Sequence, residues 1–167
     1  KNEKKTTGGK NGYGAKLTNI YSKEFIIETV DNNIGKKYIQ TFRNNMHEKD
    51  TPKITKSSAK PYTKITFYPD FERFGIVGID EDMLLILKKR IYDLAACTPK
   101  DVNVYYNDEL IKVKSFEKYA DLFLGGKDDN PRVYEEINDR WEIVVSLCPE
   151  DSHFQQFSFH IFEKIFG

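Results

Sequence analysis

The residues of this chain best suited to chemistry lie at its start. Residues 1–16 hold five lysines against one glutamate, and the stretch Gly8-Gly9-Lys10-Asn11-Gly12-Tyr13-Gly14 packs four glycines into seven positions. Glycine lets the backbone take φ > 0 and come close to a ligand, because no Cβ stands in the way. The helix-forming run Ala15-Lys16-Leu17 follows at once. A glycine-rich turn that opens a helix aims several unpaired N–H groups at one point, where the positive end of the helix dipole also draws an anion. Lys10 and Lys16 add charge there, so the chemistry expected is a grip on phosphate.

Spacing separates this loop from two common phosphate motifs. A P-loop requires Gly-x-x-x-x-Gly-Lys-Ser/Thr; Gly9 and Gly14 have the separation, but Ala15 stands where the lysine belongs and no hydroxyl follows it to meet magnesium. A dinucleotide or kinase loop requires Gly-x-Gly-x-x-Gly, and after Gly12 and Gly14 the third position is Leu17. What remains is the reversed order Gly-x-x-Gly-x-Gly in Gly9, Gly12 and Gly14. Glycines alone would equally suit a terminal linker, so the neighbouring residues must separate the two readings.

They do so through a resemblance. The run Thr7-Gly8-Gly9-Lys10-Asn11-Gly12-Tyr13-Gly14-Ala15-Lys16-Leu17-Thr18-Asn19-Ile20-Tyr21-Ser22, with Glu24-Phe25-Ile26-Ile27-Glu28-Thr29 behind it, closely resembles the ATP-lid region of eukaryotic-type (type IIA) DNA topoisomerase II. Tyr38-Ile39-Gln40-Thr41-Phe42, Asn44-Asn45-Met46, residues 62–70 and Arg90-Ile91-Tyr92-Asp93-Leu94-Ala95 resemble later parts of the same domain. Phe154-Gln155-Gln156 matches the domain that follows it, whereas residues 157–167 depart from the Ser-Phe-Val-Asn-type continuation.

The resemblance implies an α/β fold of the α+β sandwich kind. Residues 1–98 would be the later part of a GHKL (Bergerat-type) ATPase domain, and residues 99–167 the start of a transducer domain like ribosomal S5 domain 2. It implies that Gly9, Asn11, Gly12, Tyr13, Gly14 and Ala15 contact ATP phosphates through the backbone, with Lys10 and Lys16 lending charge. It further implies a nuclear, homodimeric enzyme in which ATP-driven closure captures double-stranded DNA for passage through a double-strand break. The water-activating glutamate, the magnesium-holding asparagine and the adenine-reading acid of that family lie upstream of the lid, so magnesium ligands are expected outside these residues and the chain alone is expected to be inactive. The acids nearest the loop are Glu3, Glu24 and Glu28. Two other readings stay open: a non-catalytic scaffold of the same fold, and a related chaperone or mismatch-repair ATPase.

Positioning such a loop calls for a sheet and helices, and the pattern supplies both. Strands are expected at 24–30, 37–43 and 62–68, the first two joined by a turn over Asp31-Asn32-Asn33 and Gly35. A long helix follows, capped by Asp80, with Met83, Leu84, Leu87, Ile91, Leu94 and Ala95 as a core-facing stripe and Thr98-Pro99 as its stop. Residues 102–106 and 110–113 read as a hairpin around Asn107-Asp108-Glu109, and Ser115 caps a short helix stopped by Gly125-Gly126. Alternating strands close the chain, with Trp141, Ile143, Val145 and Leu147 on one face and Phe157, Phe159 and Ile161 on another.

Lys+Arg and Asp+Glu balance at 26 each, so no global basic field announces nucleic acid. No apolar run is long enough for a membrane span, and no membrane partner is expected. Cys97 and Cys148 make no disulfide framework, and His47, His153 and His160 show no zinc-type spacing to them.

Overall fold

The computed structural model describes residues 11–138 and 141–147. The chain divides into two compact units, with the break between Ile79 and Asp80.

The first unit is a helix on a sheet. Helix α1 (Tyr13–Ile20) leads into β1 (Ser22–Asp31), which returns as β2 (Lys36–Arg43). The turn between the strands is set as expected: Asp31 Oδ1 accepts from the Asn33 N–H at 2.8 Å, and Gly35 sits at φ 58°. Two short strands, β3 (Glu48–Lys49) and β4 (Lys53–Lys56), both pair with β2, and β5 (Tyr62–Pro69) pairs with β1 on its other side. All pairings are antiparallel. Phe25 lies opposite both Phe42 and Phe67, and Ile27 opposite Ile65, so one face of the sheet is apolar at its centre. α1 packs on β1 and β5. Phe25 and Val30, which point to opposite faces of β1, are both buried. A single 3₁₀ turn, Phe71–Phe74, ends the unit's regular structure. The three long strands were legible in the alternation of the sequence; β3, β4 and the 3₁₀ turn are too short for any periodicity.

The second unit begins with α2 (Glu81–Cys97), whose Asp80 cap accepts from the Met83 N–H at 2.8 Å as the sequence suggests. The hairpin forms from β6 (Tyr105–Tyr106) and β7 (Glu109–Leu110), shorter than expected, with Asn107 and Asp108 both at positive φ in its turn. Positive φ at both central positions is the geometry that matches the twist of the flanking strands. Then come α3 (Phe116–Leu124), capped by Ser115, and the ribbon β8 (Arg132–Asn138) with β9 (Trp141–Ser146). The core of this unit is Ala95, Ala96, Ile111, Val113 and Tyr119, with Ile91, Tyr92, Cys97, Val104, Tyr106 and Phe116 packed round it.

Here one expectation is corrected. The whole apolar stripe of α2 was expected in the core, but of it only Ile91 and Ala95 pack there: Leu84, Leu87 and Leu94 remain 47%, 47% and 42% exposed. Length explains the exposure of Leu84 and Leu87, toward the N-terminal end. α2 has 17 residues and α3 has 9, so at about 1.5 Å per residue the partner helix covers only about half of it. Trp141, Val145 and Leu147 of the last strand region are likewise exposed among the described residues, and Phe157, Phe159 and Ile161 lie outside them.

Candidate phosphate-binding helix start

Gly12 is the residue before α1 and adopts φ 66°, ψ 17°, the left-handed conformation that glycine takes without a Cβ penalty. Among the described residues no side chain caps the helix it opens. The N–H groups of Gly12, Tyr13, Gly14 and Ala15 therefore have no intrahelical acceptor, and residues 11–17 are all exposed, Tyr13 at 63%. A Cβ built on Gly14 would meet nothing within 4 Å, so the described residues give no steric reason for a glycine there. The second glycine is left over once the fold has been accounted for. Lys16 is exposed one turn into the helix. An open row of amides with a cation beside it can hold an anion. Of the residues expected at this site, Asn11, Gly12, Tyr13, Gly14, Ala15 and Lys16 stand together at the start of α1, while Gly9 and Lys10 lie outside the described residues.

The far end of α1 contrasts with this. Tyr21 N–H donates to Leu17 O at 2.9 Å, the Asp70 N–H donates to Tyr21 O at 2.8 Å, and Asn45 Nδ2 donates to Ile20 O at 2.9 Å. The Tyr21 ring lies 5.3 Å from that of Phe74, with the Arg73 guanidinium 5.1 Å above it. Asn45 and Asp70 carried no signal in a single sequence, since only the folded register brings β2's exit and β5's end to the same helix terminus.

Two acids considered near the loop are engaged elsewhere. Glu24 pairs with Arg43 at 3.0 Å. Glu28 accepts from the Tyr62 hydroxyl and pairs with Lys37 at 3.0 Å, and these bonds hold its carboxyl below the ordinary carboxylate range, which is the wrong direction for a general base at neutral pH. Glu3 lies outside the described residues. In the second unit the Tyr119 hydroxyl donates to the buried Asp93, which Lys89 also meets at 3.1 Å; burial first, then that bond, pushes the Tyr119 hydroxyl upward. Burial and a 2.8 Å bond to Glu142 push the Tyr134 hydroxyl up to about 12. Both tyrosines stay protonated at neutral pH and act as structural donors.

ATP phosphates fit the open start of α1: a cradle of exposed amides, a left-handed glycine and a second glycine where a Cβ would project into free space. Among the described residues no three His, Cys, Asp or Glu side chains group as a metal site. Nor is any described helix long and apolar enough to cross a membrane. A separate depression of about 480 Å³, lined by Lys23, Pro69, Phe71, Glu72, Gly75, Ile76 and Val77, includes none of the residues at the start of α1.

Comparison with known proteins gives this geometry a context. No family model matches the chain. It is 52% identical over 164 residues, 95% of its length, to DNA topoisomerase 2 of Pisum sativum. Its fold matches the ATPase region of Saccharomyces cerevisiae topoisomerase II with a TM-score of 0.78 and 48% identity, over 85% of this chain and 38% of that one. It also matches the ATPase and transducer domains of DNA topoisomerase II from Balamuthia mandrillaris, with a TM-score of 0.75 and 41% identity over 87% of this chain and 37% of that one. The chain spans about a tenth of the length of the curated relatives it matches. By sequence along nearly its whole length and by fold along most of it, the chain belongs to the eukaryotic-type DNA topoisomerase II family, as a segment of that family's ATPase and transducer region.

Proposed function

We propose that this chain supplies the nucleotide lid, and the first part of the transducer, of an ATP-dependent type II DNA topoisomerase. The observation that carries the reading is the start of α1: uncapped amides at Gly12, Tyr13, Gly14 and Ala15, exposed, in a chain half identical to a DNA topoisomerase 2. Gly9, Asn11 and these four would bind ATP phosphates through the backbone, and Lys10 and Lys16 would neutralise charge. Phosphoryl transfer depends chiefly on positioning and on electrostatic stabilisation, so fixed amides are the kind of part it needs.

In the same proposal residues 1–98 belong to the GHKL ATPase domain and residues 99–167 to the transducer. Magnesium and the attacking water are held by residues outside this segment. The complete enzyme works in the nucleus as a homodimer whose ATP-driven closure captures double-stranded DNA for passage through a break. What supports this over a related chaperone or mismatch-repair ATPase, or over a scaffold without catalysis, is the identity along nearly the whole chain to proteins named DNA topoisomerase 2. The test is ATP-dependent relaxation of supercoiled plasmid by the complete protein, together with stimulation of its ATPase by DNA. Relaxation without added ATP, or ATPase indifferent to DNA, would contradict it.

A further inference from the structure

Among the described residues, the open end of α1 is aimed from its other end. Its first four residues are exposed and uncapped, so the hold on its direction comes from its packing on β1 and β5 and from the bonds at Ile20 and Tyr21. Asn45 is the hub of those bonds. Its Nδ2 donates to Ile20 O at 2.9 Å and to Asp70 Oδ2 at 3.2 Å, while its backbone N–H donates to Ser22 O at 3.1 Å. Asp70 in turn donates its N–H to Tyr21 O and turns its other carboxylate oxygen toward Lys23 Nζ at 3.8 Å. One amide and one carboxylate thus join the exit of β2, the end of β5 and the end of α1.

The backbone is spent to make this joint. Asn44, Asn45 and Met46 are three consecutive non-glycine residues at positive φ, 51°, 56° and 69°. Each such residue is costly, and a run of them persists only where surrounding bonds over-determine it. Neither Asn45 nor Asp70 is fully buried, so the joint is not a core contact.

From this placement we infer that Asn45 and Asp70 are positioning residues for nucleotide binding, setting the direction in which α1 presents its amides. The inference rests on the proposed role of α1. The lever is simple. An eight-residue helix is about 12 Å long, so a tilt of about 10° at the Ile20 end displaces the Gly12 end by about 2 Å. Misplacement on the order of 1 Å is enough to cost binding and rate at a site that works by geometry.

The test uses the complete enzyme and a fluorescent, non-hydrolysable ATP analogue. Asn45→Asp keeps a residue that tolerates the left-handed backbone but turns an acceptor toward the Ile20 carbonyl and the Asp70 carboxylate. We expect affinity for the analogue to fall about tenfold, with the melting temperature of the nucleotide-free protein shifted by no more than a few degrees. Adding Asp70→Asn to it lets the new amide at 70 donate to the new carboxylate at 45, which relieves the repulsion between the two side chains but leaves Ile20 O without its donor, so part of the lost affinity should return. Asn45→Gly, which suits the backbone and removes the amide without adding charge, gives the same reading if the charged variant fails to fold. Parent-like affinity in both Asn45 variants, or a double variant no better than Asn45→Asp, overturns the inference. Gly14→Ala run alongside separates the two levels: if it binds the analogue as the parent does, the phosphate site itself falls and this inference with it, whereas weakened binding there beside parent-like Asn45 variants overturns the positioning role alone.

Discussion

The three α-helices among the described residues begin in two different ways. α2 and α3 start on Asp80 and Ser115, whose side-chain oxygens accept from Met83 N–H and Lys118 N–H at 2.8 and 3.2 Å. α1 starts on a left-handed glycine, with no cap and with its amides in the open. A cap satisfies helix donors from within the chain and stabilises by about 1 kcal/mol. Where α2 and α3 only need to be stable, the chain provides its own acceptor. Where α1 begins, no described side chain supplies that acceptor, which leaves its amides open to water or an anion.

The largest effect expected follows from the proposal that the catalytic base and metal ligands lie outside this segment. If so, residues 1–167 alone should release phosphate from ATP with magnesium at least about two to four orders of magnitude more slowly than the complete enzyme; comparable turnover would send attention back to Glu24 and Glu28. Next, Asp80→Ala should destabilise the complete protein by about 1 kcal/mol in urea unfolding while leaving ATP affinity unchanged, the reverse of what a change at the start of α1 should do. Lys16→Ala should weaken ATP binding only a few-fold, since the amides remain, and the loss should shrink further with added salt. Smallest is a pH effect. Because Tyr62 and Lys37 lower the Glu28 pKa in the folded state, its stabilising contribution is present above about pH 4.5 and is lost as pH falls through the lower folded value. Tyr62→Phe should therefore be less stable than the parent at pH 6, with the gap closing below pH 4.5; a gap independent of pH would mean that Glu28 is not the group involved.

Much of this comparison was legible before any coordinates. Asp80 and Ser115 announce their helices because capping is a local event, and Gly12 announces its turn because left-handed φ excludes most other residues. β1 and β5 show in the alternation of Phe25, Ile27 and Thr29 and of Ile65 and Phe67, which put apolar side chains on one face of each strand. The exposure of Leu84 and Leu87 was not legible, because a helical stripe tells which face is apolar but not how far a partner extends along it. Asn45 and Asp70 were beyond reach for the same reason at longer range: 25 residues separate Asn45 from each of Ile20 and Asp70, and only the register of β1 with β2 and β5 brings the three together.

The central claim is that Gly14 is a glycine for a ligand's sake, and Gly14→Ala tests it most directly. Gly12 is less clean, because any Cβ there also meets the strain of φ 66°. At Gly14 the chain offers free space and a helical backbone, so alanine should leave the nucleotide-free protein as stable or firmer by up to about 1 kcal/mol. In the complete enzyme, with stability read by urea unfolding and nucleotide affinity read by titration with a non-hydrolysable ATP analogue, the account predicts opposite signs: stability kept or raised, affinity lowered at least about tenfold as the new Cβ stands where phosphate approaches. Affinity equal to or above the parent's in a protein of equal or greater stability would contradict it.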